Sequence, residues 1–125
     1  MHNLDNKKIV VVDDDPEMLE ILEGKLAQAG CKVLASEGGT ESIDLIKEHR
    51  PDLIILDVMM PKMTGMEIKE KLNESALTSD IPVIFLTGKD LTVDKTKGLK
   101  LGAKAYITKP FELDKLVDVI SSILK

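Results

Sequence analysis

Aromatic side chains are nearly absent from this chain of 125 residues: Phe85, Tyr106 and Phe111 are the full set, with no tryptophan. That leaves no stacking platform for single-stranded bases. Basic charge is short as well. The net charge is −5 and Arg50 is the lone arginine, so no basic stripe is available for a duplex backbone, and direct nucleic-acid binding is not expected. Cys31 is the single cysteine, which removes a disulfide framework and fits a reducing cytoplasm. His2 and His49 stand apart from it and from each other, so the chain carries no Cys/His pattern for zinc or another soft metal. No apolar run approaches the length of a membrane span, and the polar start Met1-His2-Asn3-Leu4-Asp5 does not resemble a signal peptide. A cytoplasmic protein with no membrane partner is expected.

What the chain does have is one core's worth of apolar residues, 43% hydrophobic against 31% charged, at the commonest size of one domain. No linker, repeat or low-complexity tract interrupts it, so residues 1–125 are expected to form one domain. Ile9–Val12, Leu53–Leu56, Val83–Leu86 and Ala105–Thr108 are short runs rich in Val and Ile, the pattern of buried parallel strands; Lys32–Ser36 is a further short strand. Between them lie helical patterns. Pro16 opens the first, with Leu19, Leu22, Leu26 and Ala29 at helical spacing before Gly30. The second carries Ile43 and Ile46 and ends before Pro51. A third is expected over about Met66–Asn73, a fourth over Leu91–Leu101 closed by Gly102, and a last over Glu112–Leu124 that buries Leu116, Val119, Ile120, Ile123 and Leu124. Strands alternating with helices give an α/β class in (βα)5 order, a five-stranded parallel sheet with helices on both faces.

Each of four strand runs stops on a polar residue. The first ends on Asp13-Asp14-Asp15, the second on Asp57, the third on Thr87, and the last, Ala105–Thr108, on Lys109-Pro110. In an open α/β sheet ligands bind outside the carboxyl ends of the strands, so these groups converge on one crevice. Carboxylates crowded there repel, and one would have its pKa raised unless a hard, oxygen-seeking cation such as Mg2+ intervened. Helix capping accounts for one or two of Asp13 to Asp15 but explains neither Asp57 nor Lys109. A carboxylate can act as nucleophile toward phosphorus, and Asp57 is the candidate; Lys109 and the Thr87 hydroxyl suit the phosphoryl oxygens.

This ordered set of motifs resembles the receiver domains of bacterial response regulators, the family of the chemotaxis regulator, over Lys8 to about Leu124. The resemblance rests on Asp13-Asp14 after Val-Val-Val, Asp57 in Leu-Asp-Val-Met-Met-Pro, Gly65 beyond that loop, Thr87-Gly88 and Lys109-Pro110-Phe111, together with their spacing. It implies the flavodoxin-like fold of a two-component phosphorelay protein and a switch in place of a turnover enzyme. Asp57 would take phosphate from the phosphohistidine of a sensor histidine kinase or phosphotransfer protein. Asp13, Asp14, Asp57 and the Met59 backbone carbonyl would hold Mg2+, and Thr87 and Lys109 would bind the phosphoryl group. Tyr106 would be the rotameric switch residue, and Lys109-Pro110 a cis peptide. Output would pass to a downstream protein or domain through the face of the fourth helix, fifth strand and last helix, with a phosphorylation-dependent homodimer among the options. Asp15 receives no metal role.

Three other readings compete. A constitutive interaction module of the same fold usually lacks one of the acidic or lysine positions, and here none is missing. A flavin or nucleotide enzyme wants a Ser/Thr/Gly-rich loop where Asp13-Asp14-Asp15-Pro16 stands. A phosphatase of the haloacid dehalogenase type wants Asp-x-Asp-x-Thr after its first strand, and a larger cap. Met59 and Lys89 lie two residues beyond Asp57 and Thr87; neither orients or activates water, so loss of phosphate is expected to be slow relative to a variant with Asn at 59 and Glu at 89, the alternative being that both side chains point to solvent and do nothing.

Overall fold

The computed structural model describes residues 4–88 and 99–125, and each of the apolar runs is a strand. In chain order the elements are β1 (Lys8–Val12), α1 (Pro16–Gln28), β2 (Lys32–Ser36), α2 (Thr40–His49), β3 (Leu53–Asp57), α3 (Gly65–Asn73), β4 (Val83–Thr87), β5 (Ala105–Thr108) and α4 (Leu113–Ile123). All pairings are parallel and the strand order is β2-β1-β3-β4-β5. Four helices are present among the described residues. The helix expected over 91–101 falls mostly on residues 89–98, outside them; Leu99 and Lys100 keep helical backbone, and Gly102 follows with φ 94°.

The run composition explains which strands are central and which are edges. Every residue of β3 and β4 is buried, as is β1 after Lys8, so these apolar stretches take the centre, where both faces are covered. β2 and β5, less completely apolar, are the edges. Successive side chains alternate between faces. Ile9, Val11, Leu53, Ile55, Ile84 and Leu86 pack with α1 and α4, whereas Val10, Val12, Ile54, Leu56, Val83 and Phe85 pack with α2 and α3. Each such side chain removed from water contributes roughly 1.5–3 kcal/mol, which makes these two layers the main source of stability. In α4 the fully buried positions are Leu116, Val117 and Ile120, with Val119, Ile123 and Leu124 partly buried. Val117 was not expected inside; the helix lies with its 113–116–117–120 stripe inward.

Local chemistry sets the helix ends that face the crevice. Asp15 is the N-cap of α1 and its Oδ1 accepts from the Glu17 N–H at 3.0 Å, with Pro16 in the first turn. Thr64 caps α3 in a reciprocal box: its hydroxyl accepts from the Glu67 N–H at 3.1 Å while Glu67 Oε1 accepts from the Thr64 N–H at 3.0 Å. That box starts α3 at Gly65, one residue earlier than helical periodicity places it.

Candidate functional site

The sheet order reverses direction at β1: β2 lies on one side of it and β3 on the other. Such a switch point opens a crevice beyond the strand ends. Asp13 and Asp57 leave these two adjacent strands, and Thr87 ends β4, the next one along. Lys109 follows β5, and its backbone N–H donates to the Thr87 carbonyl at 2.6 Å. The Lys109-Pro110 peptide is cis.

The side chains meet there. Oxygens of Asp13, Asp14 and Asp57 all lie within 4.8 Å of one another. Asp13 and Asp57 are buried, whereas Asp14 is exposed. The Lys109 ammonium sits between the two buried carboxylates, 3.4 Å from Asp13 Oδ2 and 3.5 Å from Asp57 Oδ1. Asp13 Oδ1 accepts from the Asp15 N–H at 2.9 Å, and Asp57 Oδ1 accepts from the Met59 N–H at 3.3 Å. Burial pushes the Asp57 carboxyl up to about 6, and the Asp13 charge adds to the rise; Lys109 and the Met59 N–H pull it back without cancelling it. Too many negative charges for one ammonium, arranged as oxygen donors only, fit a small hard cation.

Thr87 is buried, and its Oγ1 has no hydrogen-bond partner among the described residues. An orphaned buried hydroxyl at the lip of an acidic crevice is costly unless something is bound there, so it marks where an oxygen-rich group fits. Tyr106 pairs in register with Phe85 across β4 and β5, and their rings lie 5.8 Å apart at 59°. The same register pairs Thr87 with Thr108, so Tyr106 and Thr87 project from one face of the sheet. Met59 is 62% exposed at the mouth; Lys89 lies outside the described residues.

Two further features hold the crevice, and the sequence reading missed their purpose. Gly65 N donates to the Val58 carbonyl at 3.1 Å, and a Cβ on Gly65 would strike the Asp57 carbonyl oxygen. Only glycine lets the start of α3 press this closely on the strand that carries Asp57. Gly65→Ala is accordingly expected to lose roughly 1–3 kcal/mol of stability as the Asp57 backbone shifts, the usual cost of overpacking. Urea denaturation checks this, and parent-like stability would rule the contact unimportant. On the neighbouring loop, Gly38 (φ 115°) lies under Met60, whose Sδ comes 3.3 Å from where a Cβ would stand.

Comparison with known proteins agrees with this geometry. The sequence pattern of the response regulator receiver domain matches residues 9–121. The Vibrio cholerae chemotaxis protein CheY4 superposes with a TM-score of 0.90 at 28% identity, covering 95% of this chain and 99% of that one. The receiver domain of the Francisella response regulator 1452 does so at 0.87 and 32% identity, covering 95% and 97%. The receiver domain of a sensor histidine kinase from Pseudomonas aeruginosa PAO1, solved with magnesium coordinated in its active-site cleft, shares the fold at 0.86 with 24% identity, covering 95% and 98%.

Proposed function

The chain belongs to the family of response regulator receiver domains, and on that premise we propose that residues 1–125 act as one phosphorylation-controlled switch of a two-component system, with Asp57 as the phosphoacceptor. The observation that carries the reading is the Lys109 ammonium placed within 3.5 Å of both Asp13 and Asp57, at the same sheet end as the Thr87 hydroxyl, which has no partner among the described residues. The donor is the phosphohistidine of a sensor kinase or phosphotransfer protein: an Asp57 oxygen bonds to phosphorus as the P–N bond breaks, and the departing imidazole takes up a proton. Lys109 pairs with one phosphoryl oxygen and the Thr87 hydroxyl donates to another, a division that phosphoryl transfer requires. Asp13, Asp14, Asp57 and the Met59 backbone carbonyl are the residues that would hold Mg2+. When bound, the ion offsets the negative charge gathered on the carboxylates and phosphoryl oxygens. The protein's own chemistry is then limited to accepting and losing phosphate, and its output is a change in binding. The proposal includes a cytoplasmic setting, which the free, buried Cys31 fits.

Thr87 and Tyr106 carry the switch. The Tyr106 hydroxyl is already buried, so drawing the Thr87 hydroxyl toward the phosphoryl group empties space on the face the two share, lets the Tyr106 ring settle into it, and alters the surface around β5 and α4 that a downstream partner, output domain or second copy reads.

Two measurements test the site and the switch separately. Mg2+ at ten times its Kd is expected to stabilise the parent by about 1.4 kcal/mol and to leave Asp14→Ala unmoved; an equal response in both places the metal elsewhere. Mg2+ with beryllofluoride, a phosphoryl mimic, should shift the NMR signals of Thr87, Lys104 and Tyr106 together. Fixed signals at Tyr106, with partner binding indifferent to the mimic, would make the protein a constitutive interaction module.

A further inference from the structure

The described methionines differ sharply in access. Met60 is 7% exposed and Met66 3%, and the Met60 sulfur is packed over Gly38. Met18 and Met63 are partly buried against the two core layers. Met59 is 62% exposed, the most open large apolar side chain among the described residues. It is also tied to the reacting centre, because its own N–H donates to Asp57 Oδ1 at 3.3 Å. The thioether is therefore open to solvent on backbone fixed to the phosphoacceptor, two residues along the chain from the carboxylate that water must reach.

We propose that Met59 is a redox modification site whose oxidation by a hydroperoxide shortens the lifetime of the phosphoryl group on Asp57; this rests on the assignment of Asp57 above. The step balances with the peroxide as oxidant. The sulfur lone pair attacks the distal peroxide oxygen, the O–O bond breaks, and a proton joins the leaving oxygen. Sulfur is oxidised by two electrons to the sulfoxide and the peroxide is reduced to water or an alcohol. A thiol-dependent sulfoxide reductase reverses it.

The effect on lifetime follows from what the group can do to water. A thioether is a weak acceptor and an apolar cover; a sulfoxide oxygen is polar and accepts hydrogen bonds well. Loss of an aspartyl-phosphate requires water aligned opposite the bond that breaks, and alignment is what the thioether cannot supply and the sulfoxide can. One added hydrogen bond of ordinary strength to that water speeds the step by about 2–10-fold.

The experiment uses dilute hydrogen peroxide, halted when peptide mass spectrometry shows one added oxygen. That oxygen is expected on Met59 with Met60 and Met66 untouched. Treated and untreated protein are then phosphorylated with acetyl phosphate and Mg2+, and loss of label is followed after the reagent is removed. Treated protein should lose phosphate about 2–10-fold faster, and sulfoxide reductase should restore the parent rate. In Met59→Leu the ratio of treated to untreated rates should be one. Oxygen arriving first at another methionine, equal rates before and after oxidation, or an undiminished ratio in Met59→Leu overturns the proposal. If untreated protein takes no label at Asp57, the Asp57 assignment falls and this proposal with it; label with an unchanged lifetime overturns this proposal alone.

Discussion

Incubated with acetyl phosphate and Mg2+, the protein is expected to gain one phosphoryl group, and Asp57→Ala none. The loss should be complete because the neighbouring carboxylates are otherwise engaged. Asp13 accepts from the Asp15 N–H through one oxygen and faces Lys109 with the other. Asp14 is exposed, and Asp15 is occupied as the cap of α1. Asp57 shares the Lys109 ammonium and a backbone N–H contact with Asp13, but it alone leaves the strand that borders β4, which ends at Thr87. Intact-mass measurement reads the outcome directly. Labelling of Asp57→Ala at the parent level would transfer the role to Asp13 or Asp14 and undo the assignment.

The second large effect is on stability, and it runs against the intuition that removing a buried, hydrogen-bonded residue harms the fold. In metal-free protein, Asp57→Asn should be more stable than the parent at pH 8. The folded-state pKa of Asp57 is about 6, above its ordinary 3.8, because burial and the Asp13 charge both oppose ionisation. A carboxyl whose pKa is raised by folding gives up its proton more easily in the unfolded chain. Ionisation therefore favours unfolding as pH climbs from about 4 through 6, and the full cost, roughly 2–3 kcal/mol, is present above that window. Asparagine carries no charge and escapes the cost. Urea denaturation with a chelator present should show the variant ahead by roughly that amount at pH 8 and level with the parent near pH 4. Saturating Mg2+ should narrow the gap from the parent's side. A gap that ignores pH, or that has the opposite sign, would mean that the Asp13–Asp57 repulsion is not stored in the folded protein.

The runs of Val and Ile in β1, β3 and β4 made the strands legible, because a strand covered on both faces has little room for polar residues. The helix over 16–28 was equally plain from Leu19, Leu22 and Leu26 and from Pro16 at its start. Convergence of Asp13, Asp57, Thr87 and Lys109 followed from their shared position at strand ends. Their meeting in one crevice also requires the strands of Asp13 and Asp57 to be adjacent or nearly so, and β1 and β3 are neighbours. Thr64 and Glu67 form a capping pair that Ser/Thr-x-x-Glu spacing announces, and they extend α3 to include Gly65. Lys69 was illegible for a different reason. It lies on the buried stripe of α3 with Ile68 and Leu72, but a lysine at such a position normally reads as solvent-facing. Here it is 2% exposed, its ammonium donates to the Ser79 carbonyl at 3.2 Å, and burial lowers its pKa. Long side chains can thread apolar surroundings to reach a carbonyl, and periodicity cannot tell which of them do.

The strand order also distributes stiffness unevenly. Asp13 and Asp57 are rooted in β1 and β3, each clasped by a strand on both sides, so the carboxylate end of the crevice barely yields. Thr87 and Lys109 lead outward to β5, which has a neighbour on one flank only and no fully buried residue. Opening of a folded protein costs least where contacts are fewest. A pull exerted at the rigid centre is thus absorbed at a compliant margin, and of the two edges it is β5, joined to the crevice through Lys109, where a strain at the fixed end becomes movement.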